Sequence, residues 1–232
     1  MTSTCVDWHD LKHLPRPPGT ADGKAAGRWW DPVPHHELIS LLLEAGKADG
    51  TELEVREVHL SPDSLDLAVS FTAKDRQGMP PGWLPLLGAT SSNARRKAFR
   101  VLSGTVSPDG AEVVLHEVLR HRHTIRTDRA SLLAGAVAGF RERTRGLDRD
   151  IARLERKEIT YPRQCEILAE AAKRGLITWT RIGRCESLLR GKGDTGSRSA
   201  WEVLLAFARV TKLSPPLLRM ERVLKFKGTL PT

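Results

Sequence analysis

The sequence predicts an α+β fold: a small antiparallel sheet of two hairpins packed with helices, followed by an all-helical C-terminal half. Three observations predict it. Two stretches alternate apolar and polar residues around near-identical turns, Ser61-Pro62-Asp63-Ser64 and Ser107-Pro108-Asp109-Gly110. A helical pattern precedes them, and after Asp128 the apolar residues recur four and three apart.

Residues 1–27 are rich in Pro, Gly and charge, show no sustained period, and read as a flexible N-terminal arm. Arg28-Trp29-Trp30 anchors its end and opens an α+β domain over 28–127. A helix is expected over 34–47, because Leu38, Ile39, Leu42 and Leu43 fall at helical spacing and Gly46 closes the pattern. Strands are expected over 52–59, with Leu53 and Val55 on one face, and over 65–72, with Leu65, Leu67, Val69 and Phe71 on one face. A second hairpin pairs 99–106 with 112–115, and residues 74–85 form the long connection between the two hairpins. The sheet then has about four strands, with the first helix covering one face.

The helical region spans 128–232. Leu133, Val137, Phe140, Thr144, Leu147, Ile151 and Leu154 form a heptad seam, with Gly146 placed to split the helix in two. Such a seam packs within one subunit or joins copies of the chain, so a homo-oligomer through the helical half is among the expected partners. Further helices are expected over 162–173, stopped by Gly175, over 179–189 and over 199–212, with Pro215-Pro216 beyond them. The loop from Gly191 to Gly196 follows a helix and lacks the Gly-Lys-Ser/Thr order of a phosphate-binding loop, so it reads as a linker.

Across 232 residues the formal net charge is +9, with a pI of about 9.9, which favours a polyanion as partner. Cys5, Cys165 and Cys185 are odd in number and widely spaced, so neither a disulfide framework nor a cysteine zinc site is expected. The N-terminus shows no basic-then-apolar leader and no apolar run is long enough to span a bilayer, so a cytoplasmic protein with no membrane partner is expected.

The segment Gly88-Ala-Thr-Ser-Ser-Asn-Ala-Arg-Arg-Lys-Ala-Phe-Arg100 turns a polar loop into adjacent cations, and Arg120-His-Arg-His-Thr-Ile-Arg126 follows the second hairpin. Arg95, Arg96, Lys97, Arg100, Arg120, Arg122 and Arg126 are the candidate phosphate contacts, with Ser91, Ser92 and Asn93 adding neutral hydrogen bonds. Thr90 stands beside them, and Trp29, Trp30 and Trp83 are available to stack on unpaired bases. His116, His121, His123 and Glu117 make a poor metal set, since neighbouring arginines repel a cation, and no metal or cofactor is expected. No nucleophile elbow or cysteine-protease pattern occurs, and Asp63, Asp66, Glu112 and Glu117 are scattered, so no catalytic residues are assigned. The stretch 165–189 has the outline of a helix-turn-helix, but Ile182, Leu188 and Leu189 read as core rather than as a base-reading face.

The order Pro32-Val-Pro-His-His-Glu-Leu-Ile39, a strand pair, Gly88 with Ser92-Asn93, residues 99–106 with Gly104, Arg120-His-Arg-His-Thr124, and Ser199-Ala-Trp-Glu-Val203 with Phe207 and Thr211 resembles the phage- and plasmid-associated family of unknown function numbered nine hundred and thirty-two. The likeness runs from about Pro32 to Thr211. Where that family places a cysteine and an asparagine after the strand that follows the central glycine, this chain has Ser107-Pro108-Asp109-Gly110. The resemblance implies a mobile-element context, and the element order is similar to that of single-strand annealing proteins. The expected function is therefore that of a non-enzymatic DNA-binding protein of phage or plasmid type, binding single-stranded DNA through its basic surface and promoting annealing or recombination. Two alternatives are a protein-interaction or counter-defence factor acting on a host protein and a metal-dependent nuclease.

Overall fold

The computed structural model describes residues 4–14, 33–75, 79–93, 98–122, 128–190, 196–212 and 216–231. A short strand β1 (Thr4–Cys5) and a 3₁₀ turn (Trp8–His13) precede helix α1 (His35–Asp49). Strands β2 (Leu53–Leu60), β3 (Asp66–Ala73), β4 (Leu84–Ser92), β5 (Phe99–Val106) and β6 (Glu112–His121) follow. The helical half comprises α2 (Arg129–Arg145), α3 (Leu147–Glu155), α4 (Tyr161–Lys173), α5 (Trp179–Arg190), α6 (Ala200–Thr211) and α7 (Pro216–Lys227). A two-residue ladder, β7 (Glu158–Ile159) with β8 (Arg198–Ser199), ties the start of α4 to the start of α6.

The expectation of two hairpins is overturned: the sheet is one antiparallel meander of six strands in the order β1-β2-β3-β4-β5-β6. Both turns lie where their chemistry places them. Ser61 Oγ accepts from Asp66 N at 2.9 Å, and Ser107 Oγ accepts from Ala111 N at 2.9 Å, with Gly110 at φ +80°. What the two-hairpin reading lacked is β4. Its residues, divided there between a connection and a polar loop, hydrogen-bond to β3 on one side and to β5 on the other. The run Gly88-Ala-Thr-Ser-Ser92 carries turn-forming residues, yet a central strand covered on both faces also selects small side chains. A Cβ on Gly88 would collide with Met220 Sδ of α7. At the other end, Thr4 and Cys5 leave the arm to pair with Leu60 and His59, forming the edge of the sheet.

Helices cover both faces of the sheet. Leu67, Val69 and Phe71 of β3, Leu87 and Ala89 of β4, and Phe99 and Val101 of β5 bury against α1 and α2. On the opposite face Ala68, Leu86 and Leu102 join a larger core built from α3 to α7. Within that core Phe207 of α6 stacks on Phe226 of α7, with ring centroids 3.8 Å apart. The heptad seam breaks at Gly146, as its sequence position suggested. Leu133, Val137 and Phe140 enter the first core, whereas Leu147, Ile151 and Leu154 enter the second. The apolar side chains of the seam are thus covered by the chain itself, and Thr144 between them is partly exposed. Among the described residues no helix is long and apolar enough to cross a membrane.

Candidate nucleic-acid interface

Arg95, Arg96, Lys97 and Arg126 lie outside the described residues, as do Trp29, Trp30 and His123. The rest of the expected site does not form one surface. Ser91, Ser92 and Asn93 are buried at the end of β4, and Asn93 Nδ2 donates to the Val33 carbonyl at 3.0 Å. A side chain enclosed in this way cannot reach a phosphate, so these three residues support the sheet instead of an interface. Thr90 is likewise buried. Arg100 is half-buried on the face covered by α7, with Nε 3.6 Å from Glu117 and Nη1 3.8 Å from Glu221, which makes it a tie between β5, β6 and α7. Arg120 and Arg122 are exposed at the end of β6 and its exit. Trp83 is partly buried and packs on Trp201, with ring centroids 5.5 Å apart. Among the described residues no three of His, Cys, Asp and Glu converge as a metal site requires.

The carboxylates are largely engaged by the fold. Glu112 of β6, with only 1% of its side chain exposed, accepts from Arg219 Nε at 2.9 Å and Arg56 Nη1 at 3.1 Å. Glu57 of β2 accepts from Arg219 Nη2 at 2.9 Å and lies 3.2 Å from His59 Nε2. The His59 hydrogen bond, reinforced by Arg219 and Arg56 against the cost of burial, holds the Glu57 carboxyl at about 2. Burial opposes the charge on Arg219, but Glu112 and Glu57 outweigh it and raise its pKa. This network clamps α7 across the sheet from β2 to β6. Asp49 pairs with Arg141, Asp109 with Arg209, Glu166 with Arg163 and Glu170 with Arg174. With 37 Lys and Arg against 28 Asp and Glu, engaging carboxylates in this way leaves the cationic surplus at the surface.

One concentration of that surplus lies where α2, α3 and α7 meet β6. His116 Nε2 of β6 is 2.6 Å from Asp150 Oδ2 of α3, and Lys227 Nζ of α7 donates to the neighbouring Leu115 carbonyl at 2.7 Å. Burial lowers the pKa of His116 in spite of Asp150, with Lys227 and Arg143 adding to the effect. Burial also lowers Lys227, and Arg153 and Arg143 push in the same direction. Arg153 and Arg143 thus act on Lys227 from neighbouring helices, and Asp150 opposes them. Arg149 and Arg153 in α3 and Arg156 at its C-cap are exposed at i, i+4 and i+7, a stripe along one helix face. None of those three has an ion pair among the described residues. Their spacing was legible in the sequence, but the apolar seam running through the same helix drew the reading toward packing.

The second feature is α5, expected as a helix over 179–189 but with its outward side read as core. Its contact with the core is a narrow stripe of Ile182, Cys185 and Leu189, while Thr180, Gly183, Arg184, Ser187 and Leu188 face solvent. Trp179, 62% exposed, and Leu188, 43% exposed, are the exposed large hydrophobic side chains among the described residues. Leu188, read from the sequence as core, lies outside it. Comparison with protein-family models, with curated proteins and with solved structures found no match for the chain.

Proposed function

We propose that the protein binds nucleic acid without acting on it chemically, holding the phosphate backbone on the cationic corner of α2, α3 and α7. One observation carries this reading: Arg149, Arg153 and Arg156 form an exposed stripe of like charges along α3 with no ion pair among the described residues, while the neighbouring Asp150 carboxylate is engaged by His116. Mutually repelling cations raise the energy of the free protein, and a polyanion relieves that repulsion while releasing its own counterions. The exposed Arg120 and Arg122 add to the same positive field. An enzymatic reading would need a convergent acid, base or nucleophile in a cleft, and the Glu112 and Glu57 carboxylates are instead engaged by Arg56 and Arg219.

The test is anisotropy of a labelled 30-mer bound by the wild-type chain and by the triple variant Arg149→Ala, Arg153→Ala, Arg156→Ala, across a salt series. If each arginine neutralises one phosphate, the slope of log K against log salt falls by about 2 for a single strand and about 3 for a duplex. An unchanged slope removes the stripe from the interface.

A further inference from the structure

We infer that α4 and α5 form a DNA-reading helix pair, that the polyanion is duplex DNA, and that α5 enters its major groove. The inference rests on the nucleic-acid reading above and adds the substrate and the reading element.

The helix pair is rigidly built. α4 ends in a turn in which Gly175, at φ +68°, donates to the Ala172 carbonyl and Leu176 donates to the Ala171 carbonyl, each at 2.9 Å. Leu176 and Ile177 then bury in the core, so the turn is pinned from beneath before α5 begins at Trp179. A short fixed turn of this kind sets the angle between the two helices, as a reading helix requires.

α5 is held from one side only. Cys185 is fully buried with Sγ 3.8 Å from the Ala206 carbonyl of α6, and Leu189 buries one turn further on. The opposite side carries Thr180, Gly183, Arg184 and Ser187 at i, i+3, i+4 and i+7, all exposed and without a carboxylate among them. Glu186, the acidic residue of α5, turns away to Arg190 at 3.6 Å and to Cys165 at 3.9 Å. Ser187 Oγ donates to the Gly183 carbonyl at 2.8 Å and Thr180 Oγ1 lies 3.0 Å from Thr178 Oγ1, so the exposed hydroxyls keep acceptor capacity while the Arg184 guanidinium is the outward donor, and on a chain of net charge +9 this face complements the floor of the major groove and not a neutral protein groove. Twelve residues give the helix a length of about 18 Å, and the major groove is about 12 Å wide, enough to admit one helix.

Gly183 is the sharpest sign. A helix interior disfavours glycine, yet here a Cβ would meet nothing within 4 Å, so no packing within the chain requires its absence. A bare position in the middle of the exposed face lets the α5 backbone lie close to whatever it docks on. Arg184 beside it has the fork geometry to bond guanine O6 and N7, and Leu188 and Trp179 at the two ends supply apolar contacts of the kind a thymine methyl accepts.

The experiment uses the full chain. Selection from a pool of duplexes with a randomised core is followed by anisotropy on the selected duplex, a scrambled duplex and the single strand, with guanine N7-methylation interference on the selected site. The expected result is an enriched motif, preference for the duplex, and interference by major-groove methylation. Arg184→Ala is expected to lower the preference for selected over scrambled duplex about tenfold or more, with an unchanged melting temperature. Gly183→Leu, which the open space accommodates without disturbing the fold, is expected to weaken selected-duplex binding by a similar factor. Salt-steep binding with no enriched motif and no N7 interference overturns the α5 assignment and leaves the nucleic-acid reading standing. Absence of salt-dependent binding to any strand overturns both.

Discussion

Removing the arginine at the centre of the buried charge network tests the account of how α7 is fixed. Arg219 donates to Glu112 and to Glu57, each at 2.9 Å, from a side chain that is 9% exposed. Replacing it by Met keeps the volume and the aliphatic stem but leaves the Glu112 carboxylate with Arg56 as its remaining cation, inside the protein. Losing one partner of a buried pair costs about 3–5 kcal/mol. Glu57 retains His59 and Arg56 and has 28% of its side chain in solvent, so its share is small. Arg219→Met should therefore destabilise by about 3–4 kcal/mol, most of it the unmatched charge on Glu112. The measurement is equilibrium urea unfolding followed by circular dichroism. The double variant Arg219→Met, Glu112→Met removes the stranded charge and should recover at least about 1 kcal/mol of the loss, because apolar replacement of a whole buried pair is close to neutral. Arg56, 22% exposed and also bonded to the Gly110 carbonyl at 3.3 Å, tolerates the loss of Glu112. A single variant within about 1 kcal/mol of wild type, or a double variant costing the sum of its singles, would refute the reasoning.

Two further outcomes follow from the same face of the sheet. Glu57 is held at about 2 against an ordinary 4.5, so its stabilisation is complete above pH 4.5 and is lost as pH falls toward 2. Full conversion of that difference gives about 3 kcal/mol, and screening at this partly exposed site reduces it to about 1–2 kcal/mol. Glu57→Gln should flatten the acid limb of the stability curve, read as the urea midpoint at successive pH values; an unchanged limb counts against the network. Gly88→Ala should destabilise by about 1–3 kcal/mol, since the added methyl forces Met220 out of its place over β4. Restoring room with Met220→Ala in the same chain should lessen the penalty relative to the sum of the two single changes.

The sequence carried the local chemistry of this fold better than its global bookkeeping. Ser61 and Ser107 each close a turn by accepting a backbone N–H, an interaction written in four adjacent residues. Gly146 splits the long seam, and Gly175 ends α4 in the left-handed region, again from local cause. β4 failed because its small polar residues satisfy two opposite demands. They suit a loop, and they also suit a strand pressed between two helical layers, where the deciding neighbour, Met220, lies 132 positions away in sequence. The hydroxyl and amide members of the candidate site were misjudged for a related reason. Clustering of Ser91, Ser92 and Asn93 beside cations looks like a phosphate loop until the strand turns them inward, and only tertiary pairing with Glu117 and Glu221 shows Arg100 to be a structural tie. In α5, without knowing which side α6 covers, Leu188 counted as core, though it is exposed.

The position of α7 gives the two halves of the chain a common part. Its Arg219 and Met220 lie on β2, β4 and β6, its Phe226 stacks on α6, and its Lys227 reaches the cationic corner beside α3. α6 in turn supplies the Ala206 carbonyl against which Cys185 of α5 is seated. A shift of α7 on the sheet would have to move the Phe207 and Phe226 pair or break it, because stacked rings in a close-packed core have no room to slide independently. The buried ion network is expensive compared with apolar packing, and its geometric return is a fixed register for α7. The cations of the α3 corner and the outward face of α5 are thereby held in one spacing.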